Sequence, residues 1–130
     1  MKKSYLLLIL FSFSIVAFAQ QSAQQFKDSG IKHYRKKNYQ AAIEQFSFAI
    51  EYDKKMTDAY IYRGLAKDAM DDFSGAISDF TIARNLDTND VFVYVERAKT
   101  FMNMKEYEAA EQDFLKVTQF KKCIKKPKNE

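Results

Sequence analysis

The sequence predicts an all-α protein, built as a stacked array of helical hairpins. Three observations predict it. Apolar and small residues recur every 34 positions: Ala42, Ala76 and Ala110; Phe46, Phe80 and Phe114; Tyr39, Phe73 and Tyr107; Phe26, Tyr60 and Tyr94. A fixed period of this size marks an array in which each unit is one supersecondary element. The chain holds only three glycines and one proline, Pro127, in 130 residues, and is rich in Ala, Lys, Glu, Asp and Phe. That composition favours helix throughout. The apolar residues fall at helical spacing, as in Phe26, Gly30, His33 and Tyr34, or in Ala42, Ile43, Phe46, Ala49 and Ile50.

Six helices follow from these patterns, over 23–37, 39–53, 58–70, 73–86, 91–104 and 107–121. Lys36-Lys37-Asn38 is a polar break between the first two, with Asn38 placed to cap the second. Asp72 takes the same place before the fourth, and Thr57 and Asp90 are candidate caps for the third and fifth. The connections are short, so neighbouring helices run antiparallel. Gly30, Gly64 and Ala98 lie in the first helix of each pair and Ala42, Ala76 and Ala110 in the second, which lets the two approach closely. Ala49 and Ala83 lie on the same face and admit the first helix of the following pair. Phe46, Phe80 and Phe114 are expected to fill the space around each crossing.

With its aromatic, Gly/Ala, aromatic, Ala, aromatic, Ala order at fixed steps, the chain resembles the tetratricopeptide repeat family. The stretch Tyr60-Ile-Tyr-Arg-Gly64-Leu-Ala-Lys67 followed by Phe73, Ala76, Phe80 and Ala83 carries the resemblance best. Tyr94-Val-Glu-Arg-Ala98-Lys echoes it, and the first unit is looser, with Ser29 where the family has an aliphatic residue. Lys54, Thr88 and Lys122 stand where the family's closing proline is common. The resemblance implies a right-handed superhelical α-solenoid over 23–124, with repeats at 23–56, 57–90 and 91–124. In the third unit Glu111 replaces the Ile43 and Ile77 of the others, which gives the last helix a more polar outer face.

The ends differ from the array. Lys2 and Lys3, the apolar run Leu6–Phe18 and Ala17-Phe18-Ala19 read as a secretory signal peptide at 1–19, followed by a short segment at 20–22. The alternative is an uncleaved anchor. This reading places the chain outside the cytoplasm, in a bacterial periplasm or secreted, with no stable membrane insertion once the signal is cleaved. The formal net charge of +4 falls to +2 without Lys2 and Lys3, and the five lysines of 121–130 carry the remaining excess. The basic tail at 125–130 is expected to be solvated, and nucleic acid is not an expected partner. Cys123 is the one cysteine and has no internal partner.

No catalytic machinery is evident. His33 lies on an apolar helix face, and no metal-ligand spacing or phosphate-cradling loop occurs. Asp71-Asp72 is explained by helix capping. Lys67, Arg63 and Arg97 are expected on solvent faces or paired with a nearby Asp or Glu. Neither an enzyme nor a cofactor is expected. By resemblance, a concave groove lined by the first helix of each pair holds a protein or peptide ligand. Its places are Gln24, Lys27, Ile31, Tyr34 and Arg35; Asp58, Ile61, Leu65, Asp68 and Ala69; and Phe92, Val95, Lys99, Met102 and Asn103. The centre is apolar and the border charged, which suits a segment with bulky side chains, although several of these residues could instead pack on one another or on Gln20–Gln25. The carboxylate clamp known in some tetratricopeptide domains is not expected. Only Lys27 fits it, Ile31, Tyr62 and Phe92 supply no charge, and Glu96 would repel the ligand. The alternative to a binding module is a structural component that self-associates through its C-terminal end face.

Overall fold

The computed structural model describes residue 9 and residues 22–124. Within 22–124 there are six α-helices and no strand: α1 (22–35), α2 (Tyr39–Tyr52), α3 (Thr57–Asp68), α4 (Phe73–Leu86), α5 (Val91–Asn103) and α6 (Tyr107–Ile124). The expected signal at 1–19, apart from residue 9, and the tail at 125–130 lie outside the described residues. α2 packs on α3, α3 on α4, α4 on α5 and α5 on α6, and α3 also touches α5. Sequential packing of this kind makes an all-α helical repeat solenoid.

The turns repeat as faithfully as the core. Lys37, Asp71 and Lys105 all have φ near +60°, at 60°, 63° and 62°, and they lie 34 apart. Each ends the first helix of a hairpin with the same two hydrogen bonds. The N–H of Asn38 donates to the His33 carbonyl (3.0 Å) and that of Lys37 to Tyr34 (2.9 Å). Asp72 and Asp71 do likewise to Lys67 and Asp68, and Glu106 and Lys105 to Phe101 and Met102. This is the Schellman arrangement, normally closed by glycine because φ is positive. Between hairpins the chain turns without proline. The Asp53 carboxylate accepts from the Lys55 N–H (2.9 Å) and that of Asp87 from Asn89 (3.0 Å), so two Asx turns supply the reversal.

The helix starts divide. Asp72 accepts from the Gly75 N–H and Asp90 from the Phe92 N–H, as their side chains allow. Asn38 sits at the N-cap of α2 but its side chain makes no cap bond, and Thr57 is the first residue of α3, with Met56 before it.

Glycine marks the tightest crossings. A methyl group at Gly30 would lie 2.5 Å from the Phe46 ring, and one at Gly64 would lie 2.8 Å from Phe80. Those two rings are fully buried, and each contributes about 1.5–3 kcal/mol by leaving water. Phe114 departs from the expectation that it fills the third crossing, because it is 37% exposed. At the place of Gly30 and Gly64 the third hairpin has Ala98, one methyl group larger. No further helix among the described residues follows α6 to cover it.

Charged side chains tie the hairpins together. Arg63 of α3 makes a two-point contact with Asp79 of α4 (Nε 2.9 Å, Nη2 2.7 Å), and its third nitrogen donates to Ser47 Oγ of α2 (3.1 Å). Arg97 repeats the arrangement with Asp113 (2.7 and 2.6 Å) and Thr81 (2.9 Å). Asp79, Asp113 and Arg97 are buried. Lys67 adds a second cation to Asp79 at 2.8 Å. These three basic residues pair with aspartate and do not lie on a free solvent face. Each guanidinium joins two helices of its own hairpin to the helix before, so it fixes the stacking register as well as the fold of one unit.

Candidate functional site

The side of the solenoid formed by α1, α3 and α5 is where the groove is expected. These three helices run in one direction, so their C-terminal ends meet along one edge and their N-terminal ends along the other. The structure spreads the expected groove residues over three environments.

Ile61 is 7% exposed and belongs to the core with Tyr60, Ala76, Phe80, Ala83 and Val93. Leu65 packs against the same cluster. Ile31 and Tyr34 pack on Ala42, Phe46 and Ala66, so they are the half-buried floor of the surface. Val95 is also half-buried. Phe92 (48% exposed) and Met102 (49%) stand out into solvent at opposite ends of α5. An exposed phenylalanine and methionine flanking a half-buried apolar floor form a surface that can bury bulky side chains of another chain.

The charged positions are already partly matched. Lys27 of α1 reaches Asp58 of α3 at 3.1 Å along the N-terminal edge. Lys99 is exposed and meets Glu96 at 2.7 Å, one turn away on α5. Asp68, at the end of α3, accepts a 2.7 Å hydrogen bond from the Thr100 hydroxyl of α5, which also donates to the Glu96 carbonyl. Tyr34 lies among these carboxylates. Its hydroxyl is pushed above the ordinary tyrosine value, first by burial, then by Tyr39 and by the charges of Glu96 and Asp68. Tyr34 also meets two other rings, Tyr39 at 5.6 Å and Tyr62 at 6.0 Å, the second edge-on, and Tyr62 in turn stacks on Phe46 at 5.8 Å.

Sequence reasoning missed Tyr39, Tyr62, Glu96 and Thr100 as parts of this constellation. Tyr62 and Glu96 hold equivalent places 34 apart, but only the stacking of helices brings them to Tyr34. His33 is half-buried, and among the described residues its Nδ1 has no hydrogen-bond partner. Among the described residues no group of three or more His, Cys, Asp or Glu could hold a metal ion, and no helix is long and apolar enough to cross a membrane.

The fold and this surface define the class: an all-α helical repeat solenoid with the fold of a tetratricopeptide repeat domain. No protein-family profile matches the chain. It is similar to the second TPR domain of Spaghetti (RPAP3), solved with the HSP90 peptide SRMEEVD bound, with a TM-score of 0.74 and 25% identity over 78% of this chain and 94% of that one. The TPR domain of Arabidopsis OM64 superimposes with a TM-score of 0.76 at 22% identity, over 78% of this chain and 84% of that one. In sequence the chain is 33% identical over 100 residues to the DnaJ homolog subfamily C member 7 homolog of Dictyostelium discoideum, covering 74% of this chain and 19% of that protein. The subfamily members of Homo sapiens and Mus musculus match at 33% and 32%. The chain spans about a fifth of the length of the curated relatives it matches.

These relatives correct the expected location. All three are DnaJ homologues of eukaryotes, and they overturn the reading of a periplasmic or secreted bacterial chain. The export reading rests on two lysines, a short apolar run and Ala17-Phe18-Ala19, a compositional signal that the array itself does not carry.

Proposed function

We propose that the chain is a non-catalytic interaction module that holds a peptide or protein segment on the surface of α1, α3 and α5. The observation that carries the reading is the pairing of exposed Phe92 and Met102 with the half-buried floor of Ile31, Tyr34, Leu65 and Val95. Apolar side chains held out at both ends of an otherwise packed helix favour burial against a ligand. That a similar domain is seen with a bound peptide supports the use of this fold for peptides.

Phe92 and Met102 are the residues to change, because they lie outside the core, whereas Leu65→Asp would disturb packing. A Phe92→Ser/Met102→Ser double variant is expected to keep its helicity by circular dichroism and to lose the partners that the parent chain retains in a pull-down. Identical catches from both would remove the groove from consideration.

A second reading rests on α6, where Tyr107 (60%), Leu115 (46%) and Phe114 (37%) are exposed together. These residues would join two copies through their C-terminal faces. Light scattering decides it: a dimer that Leu115→Lys converts to a monomer supports self-association, and a monomeric parent excludes it. Val117 and Phe120 are poorer targets, since Val117 is buried and Phe120 packs on Tyr94 at 5.7 Å.

A further inference from the structure

We propose that the groove anchors its ligand through a cationic side chain, an arginine or lysine of the bound segment, seated against Tyr34 and Tyr62 and held by the carboxylates of Asp68 and Glu96. The inference rests on the groove reading above and names the chemistry of its partner.

The first argument is the unfilled acceptor capacity. A carboxylate offers about four lone-pair sites. Asp68 receives one hydroxyl, from Thr100, and among the described residues it has no cation beside it. Every buried aspartate in the protein, by contrast, has an arginine in two-point contact. Glu96 has only Lys99, through a single oxygen, and that lysine is 59% exposed. The Glu96 side chain is itself only 16% exposed, and among the described residues its second oxygen has no cation and remains open to a better-placed one.

The second argument is the aromatic surround. Tyr34, which feels the charges of Asp68 and Glu96, meets Tyr62 edge-on at 6.0 Å and Tyr39 at a tilt at 5.6 Å, so two further rings surround it. Ring faces beside carboxylates suit a guanidinium or ammonium group, which binds rings through their quadrupole and carboxylates through charge-assisted hydrogen bonds. The protein already uses this chemistry internally, with Arg63 over the Tyr60 ring and Arg97 over Phe101 while each pairs with aspartate.

The third argument is the field. Asp68 is the last residue of α3, and the C-terminal ends of α1 and α5 lie along the same edge. Helix C-termini carry partial negative charge and favour a cation there. Burial raises the Tyr34 hydroxyl first, and after Tyr39 the charges of Glu96 and Asp68 push it in the same direction. At the opposite edge Lys27 is paired with Asp58, while Arg35, the other basic groove position on α1, is exposed at that helix's C-terminal end. Met102, exposed beside Asp68's edge, supplies an apolar contact for the residue next to the anchor.

The test uses fluorescence anisotropy with three amidated, fluorescein-labelled peptides of the same length. They have a leucine on either side of a central arginine, glutamine or glutamate. The arginine peptide is expected to bind at least about tenfold more tightly than the glutamine peptide, a difference of ~1.4 kcal/mol, and to weaken with added salt. Asp68→Asn keeps the shape and the Thr100 contact and is expected to lose most of that advantage, with Glu96→Gln losing less. Equal binding of all three peptides, tighter binding of the glutamate peptide, no binding of any of them, or an Asp68→Asn variant that binds as the parent does would each overturn the proposal. The groove reading fails separately. If Phe92→Ser/Met102→Ser leaves arginine-peptide binding intact while Asp68→Asn removes it, the anchor stands without the groove. If an uncharged peptide binds and only the double variant loses it, the groove stands without the anchor.

Discussion

In the second and third hairpins an arginine and an aspartate face each other sixteen residues apart, and the same guanidinium reaches back to Ser47 or Thr81 of the helix before. At the equivalent places in the first hairpin stand Ser29 and Gln45. Where Lys67 adds a cation to Asp79, the first hairpin has His33, whose buried Nδ1 has no partner among the described residues. Rings take over there: Phe26 stacks on Tyr52 at 5.5 Å and meets Phe48 at 5.3 Å, and Tyr34 bridges Tyr39 and Tyr62. The same hairpin geometry is therefore held in two ways, by aromatic packing where no unit precedes among the described residues and by guanidinium clamps where one does. Apolar packing is not directional, whereas a forked guanidinium that must reach three oxygens on two helices tolerates little sliding. We read the clamps as devices that set the stacking register, and a buried pair is better evidence for register than for net stability.

The comparison is broken most forcefully at the aspartates. Asp79→Ala leaves Arg63 and Lys67 facing an apolar site, and Asp113→Ala strands Arg97. Each is expected to cost about 3–5 kcal/mol, the usual loss when one partner of a buried pair is removed. Gln45→Ala, at the matching place in the first hairpin, is expected to cost under about 1 kcal/mol, as a half-buried polar side chain without a charged partner does. Urea denaturation of the three variants checks the difference. Equal losses at all three positions would show that the clamps do nothing that the first hairpin lacks.

The next largest effect concerns the glycines. Gly64→Ala forces the Phe80 ring to move by several tenths of an ångström, and Gly30→Ala does the same to Phe46. Overpacking of this kind costs about 1–3 kcal/mol. The third hairpin runs the experiment in reverse, since it already has Ala98 and an exposed Phe114. Ala98→Gly is expected to draw Phe114 inward without a large change in stability, because glycine in a helix costs roughly 1 kcal/mol against the burial gained. Slower hydrogen exchange in the middle of α6 would register the change. A Phe114 that remains exposed would assign its position to the missing cover alone.

How much of this could be read in the sequence follows from the same contrast. The period of 34 located all six helices to within about three residues, because apolar spacing and the absence of proline act locally. It also exposed the close crossings at Gly30 and Gly64. The clamps were half legible. Arg63 and Arg97 recur at one period, and so do Asp79 with Asp113 and Ser47 with Thr81. Pairing with a nearby Asp or Glu was one of the two expectations for these cations, and a charged residue recurring with a partner sixteen positions on was the signal that could have chosen it and named the partner. The cluster around Tyr34 was hardly legible at all. It gathers residues from three hairpins, and no rule of local spacing brings Asp68, Glu96 and Tyr62 to one tyrosine. Even the apolar groove positions needed the structure to separate Ile61, which is core, from Phe92, which is free.

The smallest prediction uses the feature in which the hairpins do not differ. Lys37, Asp71 and Lys105 all adopt φ near +60° in the same Schellman turn. A left-handed conformation costs an L-residue about 1–2 kcal/mol, and glycine escapes most of that while losing more entropy on folding. Replacing each by glycine is therefore expected to stabilise the chain by about 0.5–1 kcal/mol, read as a rise in the urea midpoint with an unchanged slope. The strain is local, so the gain should be the same in the first hairpin as in the other two and additive when combined, since the three turns share no partner. A gain confined to Asp71 and Lys105 would mean that the first hairpin is already open in the transition that urea measures, and that the solenoid does not unfold as one unit.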